Sequence, residues 1–445
     1  MNINKEIFFK ITIIFLISAS FFLGYFLREN AAGGGREFYV MSWPIIQSFR
    51  EDFLFTINNY YLFRDATVPF SNIINAYLNP FSDDITNFQL SNTIISFFIF
   101  LIFAIILKKF FLHIKFIDIL LTSSVIIILP FFRTSAFWGK NENYGWLFLM
   151  LALYFFFEIR KNITKIPTTK DIINVIFFCF TSACALYARQ ALLFLPISYL
   201  FYLFFNKASN KIIVTSIISF FIFAIPGILL ISTWGGVYDS TNREGIFYGG
   251  WLHHTYIIKN IPILLSFLGF YLLPILVIDF KNSGLKNFSE KYFKNFALAF
   301  LVFILLMQTN ILNYLGEYTL GGGAILKINY LIQKNNFLLL LTFSSIGFAI
   351  LMKFFSEDRN NIIILMPMLI IYALPRLLYQ EYVDPLILLI FFLALKTDLH
   401  DSYFRKISFS NFIFITYFII FLIASIYFKH FAFDSFEKWL NFLSF

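Results

Sequence analysis

Residues able to do chemistry are sparse in this chain and fall in a few short stretches. Arg36-Glu37-Phe38-Tyr39 sets an acid among aromatic rings, and Asp65 follows in Asp65-Ala66-Thr67-Val68-Pro69. Rings stack on sugar faces and carboxylates accept hydroxyl protons, so Glu37, and otherwise Asp65, could act as general base on a carbohydrate hydroxyl. Most of the neighbouring acids read as solvated loop charges. Arg189-Gln190 stands at a turn between two apolar stretches. A guanidinium matches phosphate oxygens as a fork, which suits the phosphate of a lipid carrier; an anchor against lipid head groups is the competing reading. Further on, Trp234-Gly235-Gly236-Val237-Tyr238 leads to Asp239, Arg243 and the pair His253-His254. Adjacent histidines on a helix point ~100° apart, which favours substrate hydrogen bonding over a shared metal, with structural packing an equal alternative. Last come Pro375-Arg376 and Glu381-Tyr382-Val383-Asp384-Pro385. Arg376 could hold phosphate and Glu381 orient it, or the two could form an interfacial salt-bridged turn.

The elements that must position these residues are membrane helices. Of 445 residues, 59% are apolar and 13% charged, against roughly 25% charged in soluble domains. Apolar runs of ~20 residues, the length that crosses ~30 Å of hydrocarbon, recur throughout. The first, Ile7 to Phe26, has no small-residue cleavage site behind it and reads as a retained anchor. Spans are expected to start near Ile7, Asn92, Ile117, Tyr144, Ile172, Gln190, Ile212, Ile261, Phe296, Asn336, Ile362, Val383 and Phe409. The fold class is therefore all-α, a polytopic bundle of about thirteen transmembrane spans over residues 1–428.

Alternate loops concentrate the lysines: Lys5 and Lys10, then Lys108, Lys109 and Lys115, then Arg160, Lys161, Lys165 and Lys170, with the same alternation later. The positive-inside rule puts the amino terminus in the cytoplasm and the carboxyl terminus outside. On the outer side lie a long first loop, 27–91, a second large loop, 234–260, and shorter segments, one of which holds Trp138, Lys140 and Glu142. The last segment, 429–445, alternates Phe with charge and suits a helix lying on the outer membrane surface. Net charge +9 comes from loop lysines, so no nucleic-acid partner is expected. No Walker loop, His-Glu-x-x-His site or dinucleotide glycine pattern occurs; no cofactor is expected, and a divalent metal is left open. Cys179 and Cys184 share one expected helix but not one face, which argues against a disulfide.

In order and placement these stretches resemble the membrane glycosyltransferases of the C superfamily (GT-C). They are most similar to the dolichyl-phosphate-glucose α-1,2-glucosyltransferase family. The resemblance rests on Glu37-Phe38-Tyr39 with Pro44 and Gln47, Asp65 to Pro69, Tyr187-Ala188-Arg189-Gln190, Gly235-Gly236-Val237 with Asp239 and His253-His254, and Glu381-Tyr382. It departs where Arg36 precedes Glu37 in place of a second acid, where Ala191 follows Arg-Gln in place of threonine, and where Val383 and Asp384 replace a tyrosine-rich stretch. The resemblance implies an inverting enzyme that draws a sugar from a polyprenyl-phosphate-linked donor and adds it to a glycan or lipid-linked acceptor. The Phe, Ile, Asn and Lys bias suggests an AT-rich bacterial gene, hence undecaprenyl phosphate and the inner membrane. The other classes compatible with this layout are an O-antigen or capsule repeat-unit polymerase and a polysaccharide flippase.

Overall fold

The computed structural model describes residues 3–63, 67–140, 142–234, 255–308, 321–333, 337–375 and 377–432. Among the described residues the chain is helical, with no β-strand. Seven described helices are long and apolar enough to cross a bilayer, eight if one bent pair counts as a single span. Three shorter apolar helices accompany them: Gln190–Phe205, Gly323–Ile332 and Arg359–Ala373. The chain is a multi-pass helical membrane protein. It divides into two compact units, residues 1–249 with 418–436, and residues 250–417 with 437–445.

In the first unit, α1 (Ile3–Phe26) leads into a folded cap in place of the long loop expected over 27–91. The cap contains α2 (Trp43–Glu51), α3 (Phe53–Asn58) and α4 (Phe70–Leu78). Its core joins Phe38, Ile45, Phe49 and Tyr60 to Phe88 and Trp234 of the spans. Two of the acids read as solvated charges start helices: Asp52 accepts from Phe55 N and Asp84 from Asn87 N, both at 2.9 Å. Seven helices follow: α5 (Ile85–Phe110), α6 (Phe116–Ser123), α7 (Pro130–Trp138), α8 (Glu142–Arg160), α9 (Thr169–Ala188), α10 (Phe194–Phe205) and α11 (Asn210–Trp234), of which α5, α9 and α11 are each long and apolar enough to cross a bilayer. Between α6 and α7 the chain bends by 69°. Pro130 forces the cause: the residue before a proline avoids helical geometry, and Leu129 is extended.

Side-chain contacts mark the two ends of this unit. At one end Lys10 bonds Asp118 at 2.6 Å, Lys108 bonds Leu112 O, and Lys109 reaches the Tyr154 hydroxyl at 2.9 Å. At the other, Tyr25 reaches Thr86 O, Trp138 donates to Glu29 O at 2.9 Å, and Trp234 donates to Ile57 O at 3.1 Å. Both cysteines are free and buried.

The second unit opens with α12 (Thr255–Gln308), two helices run together across Gly284, whose φ of 77° breaks the spiral amid Lys281, Lys286 and Lys291. Then come α13 (Gly323–Gln333), α14 (Leu338–Glu357), α15 (Arg359–Ala373), α16 (Leu386–Leu393), α17 (Asp398–Arg405) and α18 (Ile407–Tyr427), whose end counts with the first unit. The apolar run expected to span from Val383 forms only the eight helical residues of α16, ~12 Å of helix against ~30 Å of hydrocarbon. All eight are buried, so its hydrophobicity reflects internal packing. Of the expected outer tail, Phe428–Ala432 continues α18 as a π-helical turn, and 433–445 lie outside the described residues.

Candidate functional site

Glu37 ends a single helical turn, Gly35–Glu37, at the mouth of the cap. Its side chain is 62% exposed, and its Oε2 lies 2.9 Å from the Lys140 ammonium, itself nine-tenths buried. Two glycines make room for this pair. Gly34 has a φ of 82°, and a Cβ there would meet both the Lys140 ammonium and Glu37 Oε2; a Cβ on Gly35 would strike the Trp138 ring. Tyr39 packs edge-on against the same indole, with centroids 5.8 Å apart.

Lys140 follows the left-handed Gly139 that ends α7. One step beyond the connecting Asn141, α8 begins with Glu142, whose Oε2 accepts from the Ser135 hydroxyl at 2.7 Å. Burial works against ionising Glu142, but Lys140, Arg189 and the Ser135 hydroxyl outweigh it and hold the carboxyl below its ordinary range. Arg189 sits where α9 stops and the backbone turns extended. Its stem packs on Gly145, where a Cβ would come within 2.9 Å of Cγ, and its guanidinium lies 4.5 Å from the Trp146 ring centre. Gln190 begins the 3-10 turn that follows and is half-buried. Four side chains from three stretches therefore form one row of alternating sign: Glu37, Lys140, Glu142, Arg189.

Of the residues singled out in the sequence, this row contains Glu37 and Arg189, with Gln190 beside it. Glu381 lies in the second unit, half-buried in the 3-10 turn Gln380–Tyr382. Asp65, Asp239, His253, His254 and Arg376 lie outside the described residues. Sequence reasoning placed Lys140 and Glu142 in an outer segment but gave them no role; the signal was a Lys-x-Glu at the mouth of a span.

Two further acids of the expected outer segments, Glu29 and Asp384, are buried rather than solvated. Arg133, 2% exposed on α7, grips Glu29 with both arms, Nε to Oε1 at 2.8 Å and NH2 to Oε2 at 2.6 Å, and also donates to Ser20 O. An arginine inside an apolar run was the available signal. In the second unit, Asp384 is 1% exposed and accepts from the Tyr271 hydroxyl at 2.9 Å. Gln380 donates to the same tyrosine and accepts from Ala324 N. There the buried acid is Asp384, three residues beyond Glu381. Among the described residues no group of three or more His, Cys, Asp or Glu is arranged to hold a metal ion.

No protein-family model, curated protein or solved structure matches this chain.

Proposed function

We propose that this chain is an inverting membrane glycosyltransferase of the GT-C type. It moves a glucose-like sugar from a polyprenyl-phosphate carrier to a glycan or lipid-linked acceptor at the extracytoplasmic face of a bacterial inner membrane. The observation that carries the reading is the row of alternating charge at the end of the first unit opposite Lys10, Lys108 and Lys109. By the positive-inside rule that end faces outward, with the amino terminus in the cytoplasm and about thirteen spans in all.

Transfer needs a carboxylate open to water beside cations able to receive a leaving phosphate, and the row offers both. Glu37 accepts the proton of the acceptor hydroxyl; that oxygen attacks the anomeric carbon from the side opposite the leaving group. The bond from carbon to phosphate oxygen breaks, the lipid phosphate departs with the electron pair, and the anomeric centre inverts. Lys140 and Arg189 stabilise the charge that gathers on the phosphate. Glu142, held ionised, keeps both cations in place between turnovers. The buried Glu29–Arg133 pair is an observation that favours a transporter. Its arginine is satisfied by a bidentate carboxylate and backbone carbonyls, a structural arrangement in which both Glu29 oxygens are already taken.

In membranes supplied with polyprenyl-phosphate sugar, Glu37→Gln should insert normally and lose transfer. Full activity in Glu37→Gln, and equally in Asp65→Asn, contradicts the assignment.

A further inference from the structure

The face that α4 turns inward is polar, although it packs beneath a cap and against spans. Ser71, Asn72 and Asn75 are at most 1% exposed. Ser71 and Asn75, four residues apart, share one face of the helix. Opposite them, α5 contributes Gln89, Asn92 and Ser96 at helical spacing, and the first turn of α8 contributes Asn143 and Tyr144. These elements are stitched together by neutral groups only. The Tyr144 hydroxyl donates to Asn75 Oδ1 at 2.7 Å and lies 3.4 Å from Asn92 Oδ1, and Asn143 donates to Ser96 Oγ at 2.7 Å.

The stitching is incomplete. Ser71 Oγ, Asn75 Nδ2, Gln89 Nε2 and Asn143 Oδ1 are buried with no hydrogen-bond partner among the described residues. A buried donor or acceptor left unpaired carries the full cost of its desolvation, and apolar side chains would close such a seam more stably. The unpartnered set holds donors (amide N–H) and an acceptor (amide carbonyl), with a hydroxyl that can be either. Hydroxyl groups on a ring answer both needs. A charged ring does not fit, because among the described residues the groups bonded across the seam are neutral and burying a bare charge is prohibitive.

We infer that the seam between α4, α5 and the first turn of α8 binds the hydroxyls of a neutral sugar ring and excludes acidic sugars. That this ring is the transferred sugar rests on the transferase reading above; hydroxyl recognition does not.

The test is cysteine labelling of the full chain in membranes with neutral methyl methanethiosulfonate, read by intact mass. Asn75→Cys should react about tenfold faster than the native Cys179 and Cys184, because a seam that admits a sugar must open to water. A neutral methyl hexoside at twice its dissociation constant should slow the reaction about threefold, and methyl glucuronide should not. Ser71→Cys, one turn away, gives the same readout should Asn75→Cys fail to reach the membrane. Labelling no faster than the native thiols would make the seam a closed structural contact and overturn the proposal. Equal protection by glucuronide, or protection by no hexoside, would also overturn it. Transfer retained in Glu37→Gln would sink the transferase reading and leave this labelling pattern unchanged, so the two failures are distinguishable.

Discussion

At the scale of single residues, Glu142 and His400 show how burial and neighbours set charge. Glu142 is held ionised by the cations around it. A carboxyl whose folded value is depressed adds stability above its ordinary range and loses it as pH falls through the folded value. Glu142→Gln should therefore lower the thermal midpoint in detergent at pH 7, and the gap from the parent chain should shrink as pH drops below the usual carboxylate range. A gap independent of pH contradicts this. His400 lies in α17, where burial pushes the imidazole down to about 4 and its Nε2 bonds Phe391 O at 2.9 Å. The unfolded chain then binds more protons between about 4 and 6.5, so stability falls across that window as the solution is acidified, by up to about 3 kcal/mol. His400→Gln should flatten that part of the melting-point profile; an unchanged profile would show that other groups govern it.

At the scale of elements, two close contacts make sharp demands. Where α12 crosses α14, a Cβ on Gly269 would run into Phe343 O and one on Gly347 into Leu265 O, both backbone atoms that cannot swing aside. Gly269→Ala or Gly347→Ala should cost about 1–3 kcal/mol, read as lost thermal stability in detergent. Full stability in both variants contradicts the crossing. The link from the end of α1 to α7 rests on Glu29 and Arg133. Arg133→Met strands a buried carboxylate and should cost about 3–5 kcal/mol, whereas pairing it with Glu29→Leu should recover most of the loss. Equal instability in the single and double variants would mean that packing, not charge, holds this joint.

These elements also mark what the sequence could reveal. Long apolar runs such as Ile85–Phe110 and Asn210–Trp234 announce helices because nothing else satisfies backbone groups in hydrocarbon. The cap was illegible because its core borrows Phe88 and Trp234 from distant spans. The run around Leu386–Leu393 misled because a fully buried helix and a lipid-facing one share one composition. Glu37 and Arg189 were visible as acid among rings and arginine at a turn. Lys140 and Glu142, which join them, become visible only when α7 and α8 bring their ends together.

At the scale of the whole molecule, the account needs the cap and the lysine-rich ends on opposite sides of the membrane. Leu78 on α4 is 76% exposed and Ile166, between Lys165 and α9, is 94% exposed. In sealed cells an impermeant thiol reagent should label Leu78→Cys and spare Ile166→Cys until the membrane is opened. The reverse pattern would turn the candidate site toward the cytoplasm. The claim that the chain transfers one sugar is tested most directly by the composition and length of the surface glycan in a strain deleted for this gene. The account predicts long chains that each lack one neutral sugar, restored by the parent chain and not by Glu37→Gln. Chains reduced to a single repeat unit, or a glycan unchanged in composition, would contradict it.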